Sequence, residues 1–296
     1  MKTVAVIVHW GTPDPTTELA TRLDASAQID QVAVVANDRS RRPAQLPPGV
    51  SWLLPPRDLG VGGGFRHAAD AFPAASAYLL VTNDVVIDED TIATCLALLT
   101  GTNIGIVAPT LVVAEGVRAA AARLTRFLVA SKVLGRAPTS RPSEADWVSG
   151  AAMFIKAECH QRVPMDGRFF LGFEDIDFCH RARSAGWSVV VSPARAWRAG
   201  GGLSAPAHRD YYCYYEVRNR LWFTRVRRWH GRTALVTAWT VLVTLPRAAV
   251  LDLFRSGARA SSALVLHGLV DGLGALPPSG DPSPDEPRVT RWTTPG

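Results

Sequence analysis

Lysine is nearly missing from this chain. Lys2, Lys132 and Lys156 are the only three among 32 basic residues in 296, so arginine carries the positive charge. Cysteine is scarce as well: Cys95, Cys159, Cys179 and Cys213 stand apart, with no CxxC pair. That spacing offers no zinc site, and a chain of this length needs no disulfide framework, so reduced cytoplasmic thiols are expected. The opening Thr3–Val8 run is too short for a signal peptide. Ala234–Leu245 is apolar, but Pro246-Arg247 is expected to end it, with Asp252 beyond. A spanning helix needs about 20 uninterrupted apolar residues, so this segment reads as a surface-lying or core helix. No nucleic-acid module and no internal repeat is visible, and nucleic acid is not an expected partner.

What is present is a globular composition. Hydrophobic residues make up 47% and charged residues 20%, which excludes a wholly disordered chain. The net charge of +6 is concentrated: Glu216–Ala260 holds nine arginines against two acids, a net of +7, and the remainder is close to neutral. A basic, aromatic-flanked segment can meet an anionic membrane or a phosphorylated substrate, or can be a solvated helical face. Peripheral membrane contact and a homo-oligomer both stay open on this reading.

Short apolar strands alternate with helices. Thr3–Val8, Gln31–Ala36, Val50–Leu54, Tyr78–Thr82 and Ile104–Ala108 read as buried strands. Helices are expected over Thr16–Ala27, from Gly60 to about Phe72, and over Asp88–Leu99 with Asp88 as its cap. This is an α/β pattern, a mostly parallel sheet with helices on both faces, whose crevice lies at the carboxyl ends of the strands. His9-Trp10, Asn37-Asp38 and Asn83-Asp84 stand at those ends. Residues 136–144 read as a loop, a helix follows near Asp175–Ala185 and a strand over Ser188–Ser192. A basic helical region starts at Asp210, and the polar stretch 277–296 is expected to be a disordered tail.

Three segments carry chemistry. Asp84 ends an apolar strand, where a carboxylate can hold a divalent cation or cap a helix. Glu174, Asp175 and Asp177 crowd together, which favours one carboxyl with a raised pKa suited to a base; acids at a helix N-terminus look the same. The glycine run Gly60–Gly64, followed by Phe65-Arg66-His67, can let backbone approach a pyrophosphate, or can be a flexible loop; it fits neither a Walker loop nor GxGxxG.

Taken in order, these segments resemble the family 2 inverting glycosyltransferases of the GT-A fold, in particular their rhamnosyltransferase-like branch. The resemblance rests on Val8-His9-Trp10-Gly11-Thr12-Pro13, Asp58–Gly64, Thr82-Asn83-Asp84-Val85 and Trp147–Ala151. It continues through Gly167–Asp177, Ala185-Gly186-Trp187 and Tyr211-Tyr212 to Arg218-Asn219-Arg220. It implies transfer of a sugar, such as the rhamnose of dTDP-rhamnose or another deoxyhexose, from a nucleoside diphosphate to an acceptor hydroxyl. The acceptor would be a glycan, a lipid-linked glycan or a natural-product scaffold.

The resemblance also assigns roles. Asp175 falls in the general-base slot beside Glu174, and Asp84 in the position that binds Mg2+ or Mn2+. His9, Trp10, Asn37 and Asp38 would line the nucleoside pocket, with Gly60, Gly63, Arg66 and Asn83 near the donor. It implies a GT-A domain over 1–230 (a nucleotide-sugar half, 1–110, and an acceptor half, 111–230); the basic residues beyond it read as a helical extension over 231–276, and the lone cysteines and that basic segment suggest a place in the cytoplasm or on the inner face of the membrane.

Three positions depart from the family pattern. Ala36 stands where an aspartate is common, Thr82 replaces the first acid of the metal motif, and Arg198 replaces the histidine of the usual Trp-His. Arg198 can itself neutralise a diphosphate, or His208 can supply the missing ligand. A non-catalytic nucleotide- or glycan-binding protein is the rival these departures favour. A nucleotidyltransferase is a weaker one, because residues 9–15 hold no Lys or Arg.

Overall fold

The computed structural model describes residues 1–113, 116–118, 121–125, 127–129, 131–133, 141–198, 209–254 and 261–278. Most of the expected 136–144 loop, nearly all of the expected tail, and His208 lie outside these residues. The first half alternates as expected: β1 (Thr3–His9), α1 (Pro13–Asp24), β2 (Gln31–Ala36), β3 (Ser51–Leu53), α2 (Gly60–Ala71), β4 (Ala77–Val81), β5 (Val85–Val86), α3 (Glu89–Leu99) and β6 (Ile104–Val113). Then come β7 (Gly116–Arg118), β8 (Ala121–Leu124), β9 (Ser131–Val133), β10 (Ser143–Glu144), β11 (Trp147–Val148), β12 (Ala152–Lys156), α4 (Ala157–Arg162), α5 (Glu174–Ser184) and β13 (Ser188–Arg198). α1 starts at Pro13, earlier than expected, because a proline in the first helical turn loses no needed hydrogen bond. Asp88 caps α3 as expected, accepting from the Thr91 N–H at 2.8 Å.

The main sheet runs β10-β13-β6-β12-β4-β1-β2-β3. β1 lies parallel to β2 and β4, and β13 parallel to β6. β12 is antiparallel to both β4 and β6. A parallel return needs a crossover, usually a helix, and among the described residues only short strands separate β6 from β12. Val4, Ala5, Val6 and Ile7 are wholly buried, as are Val32–Val35, which is why these strands read as unbroken apolar runs.

β6 and β13 run farther than their apolar stretches suggest. Beyond an irregularity between Ser192 and Arg195 they stay paired to Arg198↔Val113. β5 adds to this end, Arg198 facing Val85. That extension brings Arg198 to the strand end that carries Asp84.

Helices α6 (Arg209–Val226), α7 (His230–Trp239), α8 (Leu245–Leu253) and α9 (Ser261–Leu273) close the chain. Pro246 does not end the apolar helix. α7, a π-helical turn over Thr240–Thr244 and α8 form one continuous helix, His230–Leu253. A proline cannot donate to the ladder and crowds the preceding turn; widening that turn to a π-helix lets the chain continue. By length and composition alone, the 24-residue helix could cross a membrane. It is not a core helix, since only Val236, Thr240 and Ala248 along it are buried.

Candidate active site

The crevice residues divide into a wall and a working face. His9 is fully buried: its Nδ1 lies 2.8 Å from the Thr16 hydroxyl and its Nε2 3.6 Å from Asp38. Burial pushes its pKa down, against the pull of Asp38. Asn37 is also spent on framework, its Nδ2 donating to the Gly60 carbonyl at 2.9 Å and its Oδ1 accepting from the Leu59 N–H at 3.3 Å. His9 and Asn37, expected to line the nucleoside pocket, are buried and bonded to framework groups of α1 and α2. Asp38 accepts from Gly11 N–H and from Ser40, and these bonds outweigh burial to keep its carboxyl low. Trp10 is 62% exposed at the rim. Asn83 donates to the Thr16 hydroxyl at 3.1 Å, tying the end of β4 to α1.

The glycine run is neither a flexible loop nor an open phosphate cradle. It forms the first turns of α2, and its N-terminal donors are taken: Gly60 N–H by Asp58 and Val61 N–H by the Phe170 carbonyl, at 2.9 and 2.8 Å. Gly60 has φ +65°, and a Cβ there would overlap the Phe170 backbone. Gly63 packs on Leu59. The glycines thus let α2 touch the segment leading to Asp175. Arg66 lies a turn farther on, part-exposed and 3.9 Å from Asp70, away from the strand ends.

The three clustered carboxyls go separate ways. Asp177 is buried between Arg181 and Arg227, at 2.6 and 2.8 Å, and ties α5 to α6. Glu174 is buried beside Gly62 of α2; burial and then the neighbouring Asp175 raise its pKa. Asp175 is half-buried, Oδ2 accepting from Gly150 N–H at 3.0 Å and Oδ1 from Ile176 N–H at 2.7 Å. Burial raises its pKa, against the pull of those N–H groups and of Arg198.

Asp84 binds Arg198, whose charge also acts on Asp175. Its Oδ1 accepts from the Thr82 hydroxyl at 2.5 Å and its Oδ2 from Arg198 Nε at 2.7 Å. Among the described residues, no group of three or more His, Cys, Asp or Glu gathers to hold a metal ion. Asp84, expected to hold a divalent cation, is bonded here to Arg198, and its neighbour Thr82 brings no second carboxylate. As it stands the site fits a guanidinium; a metal ion would have to take Asp84 from it.

Residues 29–255 match the family model described as "Glycosyltransferase like family 2". The chain belongs to glycosyltransferase family 2. No curated protein matches it closely enough to count as a relative. Solved structures with the GT-A fold superpose on it, among them the following three. Staphylococcus aureus TarS (residues 1–349) superposes with a TM-score of 0.56 at 12% identity, over 94% of this chain and 81% of that one. The mannosyltransferase PcManGT from Pyrobaculum calidifontis, in complex with GDP-Man and Mn2+, gives 0.53 at 13%, over 92% and 81%. GalNAc-T7 with UDP, GalNAc and Mn2+ gives 0.55 at 12%, over 73% of this chain and 48% of that one, so the chain spans about half its length.

In this family 2 chain, two residues that motif reading left without a role hold the Asp175 segment. Asn219 Nδ2 lies 2.7, 3.0 and 2.6 Å from the carbonyls of Phe169, Leu171 and Gly172. Arg218, wholly buried, reaches the Phe169 carbonyl at 3.2 Å and lies over the rings of Tyr215 and Trp222. The segment needs this grip, because Phe170 and Phe173 have φ +59° and +73°, a region costly for bulky side chains. The signal in the sequence was Arg218-Asn219 set in a helix of aromatics, polar residues too well surrounded to be surface.

Proposed function

We propose that this chain transfers a sugar from a nucleoside diphosphate to an acceptor hydroxyl with inversion at the anomeric carbon, Asp175 acting as general base. What supports the reading is one juxtaposition: a carboxylate fixed by two backbone N–H groups stands within electrostatic reach of Arg198, which is bound to the strand-end Asp84. In the reaction Asp175 takes the acceptor's hydroxyl proton while that oxygen bonds to the anomeric carbon. The diphosphate departs from the opposite face with the bonding electrons. A raised pKa brings the carboxyl nearer to what a base at neutral pH requires. Arg198 meets the growing phosphate charge, a geometry a guanidinium suits. A deoxyhexose donor, dTDP-rhamnose first, is the starting expectation, and UDP- and GDP-sugars complete the panel.

The test is binding and turnover of that panel with Mn2+, with Mg2+ and with chelator, for the wild type and Asp175→Asn. The variant should keep donor affinity and lose turnover by roughly a hundredfold or more. Turnover that survives chelation supports Arg198 at the diphosphate; strict metal dependence means that a cation displaces it from Asp84. Undiminished turnover by Asp175→Asn would remove the base. Donor binding without turnover would favour the non-catalytic reading that Thr82 and Arg198 suggest.

A further inference from the structure

We infer that the outward face of the helix His230–Leu253 is a docking surface for an anionic phospholipid bilayer, on which the helix lies flat. Its outer side is apolar well beyond what a soluble surface ordinarily shows: Leu242, Leu253 and Phe254 are 73%, 82% and 83% exposed, and Trp239 and Val250 stand out beside them. A groove of about 760 Å³ joins this face to the end of α9, lined by Ala238, Val241, Leu242 and Leu273, with Arg225 and His230 among its polar members.

Among the described residues, the free charges along this helix have one sign. Arg228 and Arg247 are exposed and Arg232 is part-exposed, lying 4.1 Å over the Trp229 ring. The helix's one acid, Asp252, is engaged by the N–H groups of Ser261 and Ser262 and by the Ser262 hydroxyl. Apolar side chains flanked by unopposed arginines match the acyl boundary and the anionic headgroups of a lipid surface.

Two other occupants fit less well. A second copy docked by two-fold symmetry would set these arginines against their own kind, with no free acid of the helix among the described residues to answer them. A spanning helix would have to leave the body of the protein, because Val236 and Ala248 are packed with Val217, Leu221, Val265 and Leu269 of α6 and α9. The inference is independent of the transferase reading.

The test is flotation of the full chain with vesicles of phosphatidylcholine mixed with phosphatidylglycerol, against phosphatidylcholine alone. The chain should float with the anionic vesicles and come off in alkaline carbonate. L242D with L253D, both at exposed positions, should weaken partition by roughly a hundredfold while circular dichroism and donor binding stay unchanged. Arg232→Glu with Arg247→Glu should erase the preference for phosphatidylglycerol. Failure of the wild type to float, resistance to carbonate, or a dimer that L242D with L253D dissolves would each overturn the inference.

Discussion

Asn219 is where the strained approach to Asp175 can be put to a number. Its side-chain amide offers two hydrogens to three carbonyls, those of Phe169, Leu171 and Gly172, and Asn219 itself is wholly buried. Asn219→Ala leaves those carbonyls without this donor inside the protein. It also removes what holds Phe170 and Phe173 at positive φ. Each buried acceptor that loses its partner costs about 1–3 kcal/mol, and part of the backbone strain is released in return, so a net loss of about 2–4 kcal/mol is expected. For a chain of this size that is a fall of roughly 3–7 °C in melting temperature, read by thermal and urea unfolding. Turnover should fall more than donor affinity, because a base misplaced by about 1 Å can cost on the order of a hundredfold while the donor pocket is untouched. Asn219→Asp keeps the volume and the acceptor for Arg218 Nε but faces carbonyls with an oxygen, and should be at least as damaging. An Asn219→Ala protein with wild-type melting and wild-type turnover would refute the claim that this residue holds the loop.

Other perturbations test separate parts of the structure. Gly60→Ala forces a Cβ into the Phe170 carbonyl at a φ of +65° and should cost about 3 kcal/mol or more, checked by urea unfolding. His160 is buried against Phe65 and Tyr78, and burial pushes its pKa down to about 4 from 6.5. The unfolded chain takes up that proton first, so its contribution is complete above pH 6.5 and is lost as pH falls toward 4, by about 3 kcal/mol at most. Melting curves over that range should be visibly flatter for His160→Phe than for the wild type. Glu174 works with the opposite sign: its raised pKa makes stability fall as pH rises above 4.5, so Glu174→Gln should gain on the wild type in alkaline unfolding series. Arg198→His replaces the internal cation by a metal ligand and should make turnover dependent on Mn2+ or Mg2+, read by chelator titration.

The strands were legible because they are buried on both faces, so that Gln31–Ala36 and Thr3–Val8 could hardly be anything else. Asp88 was legible because a cap is a local device. The extension of β13 to Arg198 was not: the Pro193-Ala194-Arg195 stretch breaks the apolar run, and pairing with β5 and β6 restores the strand. Residue type also failed to show where polar atoms are spent. His9 and Asn37 stand at strand ends, as crevice residues should, yet their bonds run inward to Thr16, Leu59 and Gly60. The glycine run, read as room for a pyrophosphate or as a flexible loop, forms the start of α2, where Gly60 makes room for the Phe170 backbone. Sequence placed these residues near the site; only the contacts separate those that build it from those that face it.

The same distinction explains the C-terminal region, where charge and apolarity exchange their usual places. A count of nine arginines over Glu216–Ala260 suggests a basic surface. Yet Arg218 lies buried among aromatic rings, Arg225 donates to the carbonyls of Gly272 and Gly274 at the end of α9, and Arg227 closes on Asp177. A guanidinium permits this: its five donors can satisfy carbonyls and carboxylates while its flat face rests on rings, which an ammonium does poorly. With these arginines committed to holding α5, α6 and α9 together, the outer layer is left to the apolar helix after His230. The inward arginines fix the segment that carries Asp175, and the outward leucines face away from it. A single helical region therefore has two jobs that can be separated by substitution: Asn219 and Arg227 should govern the crevice, while Leu242 and Leu253 govern what the protein rests on.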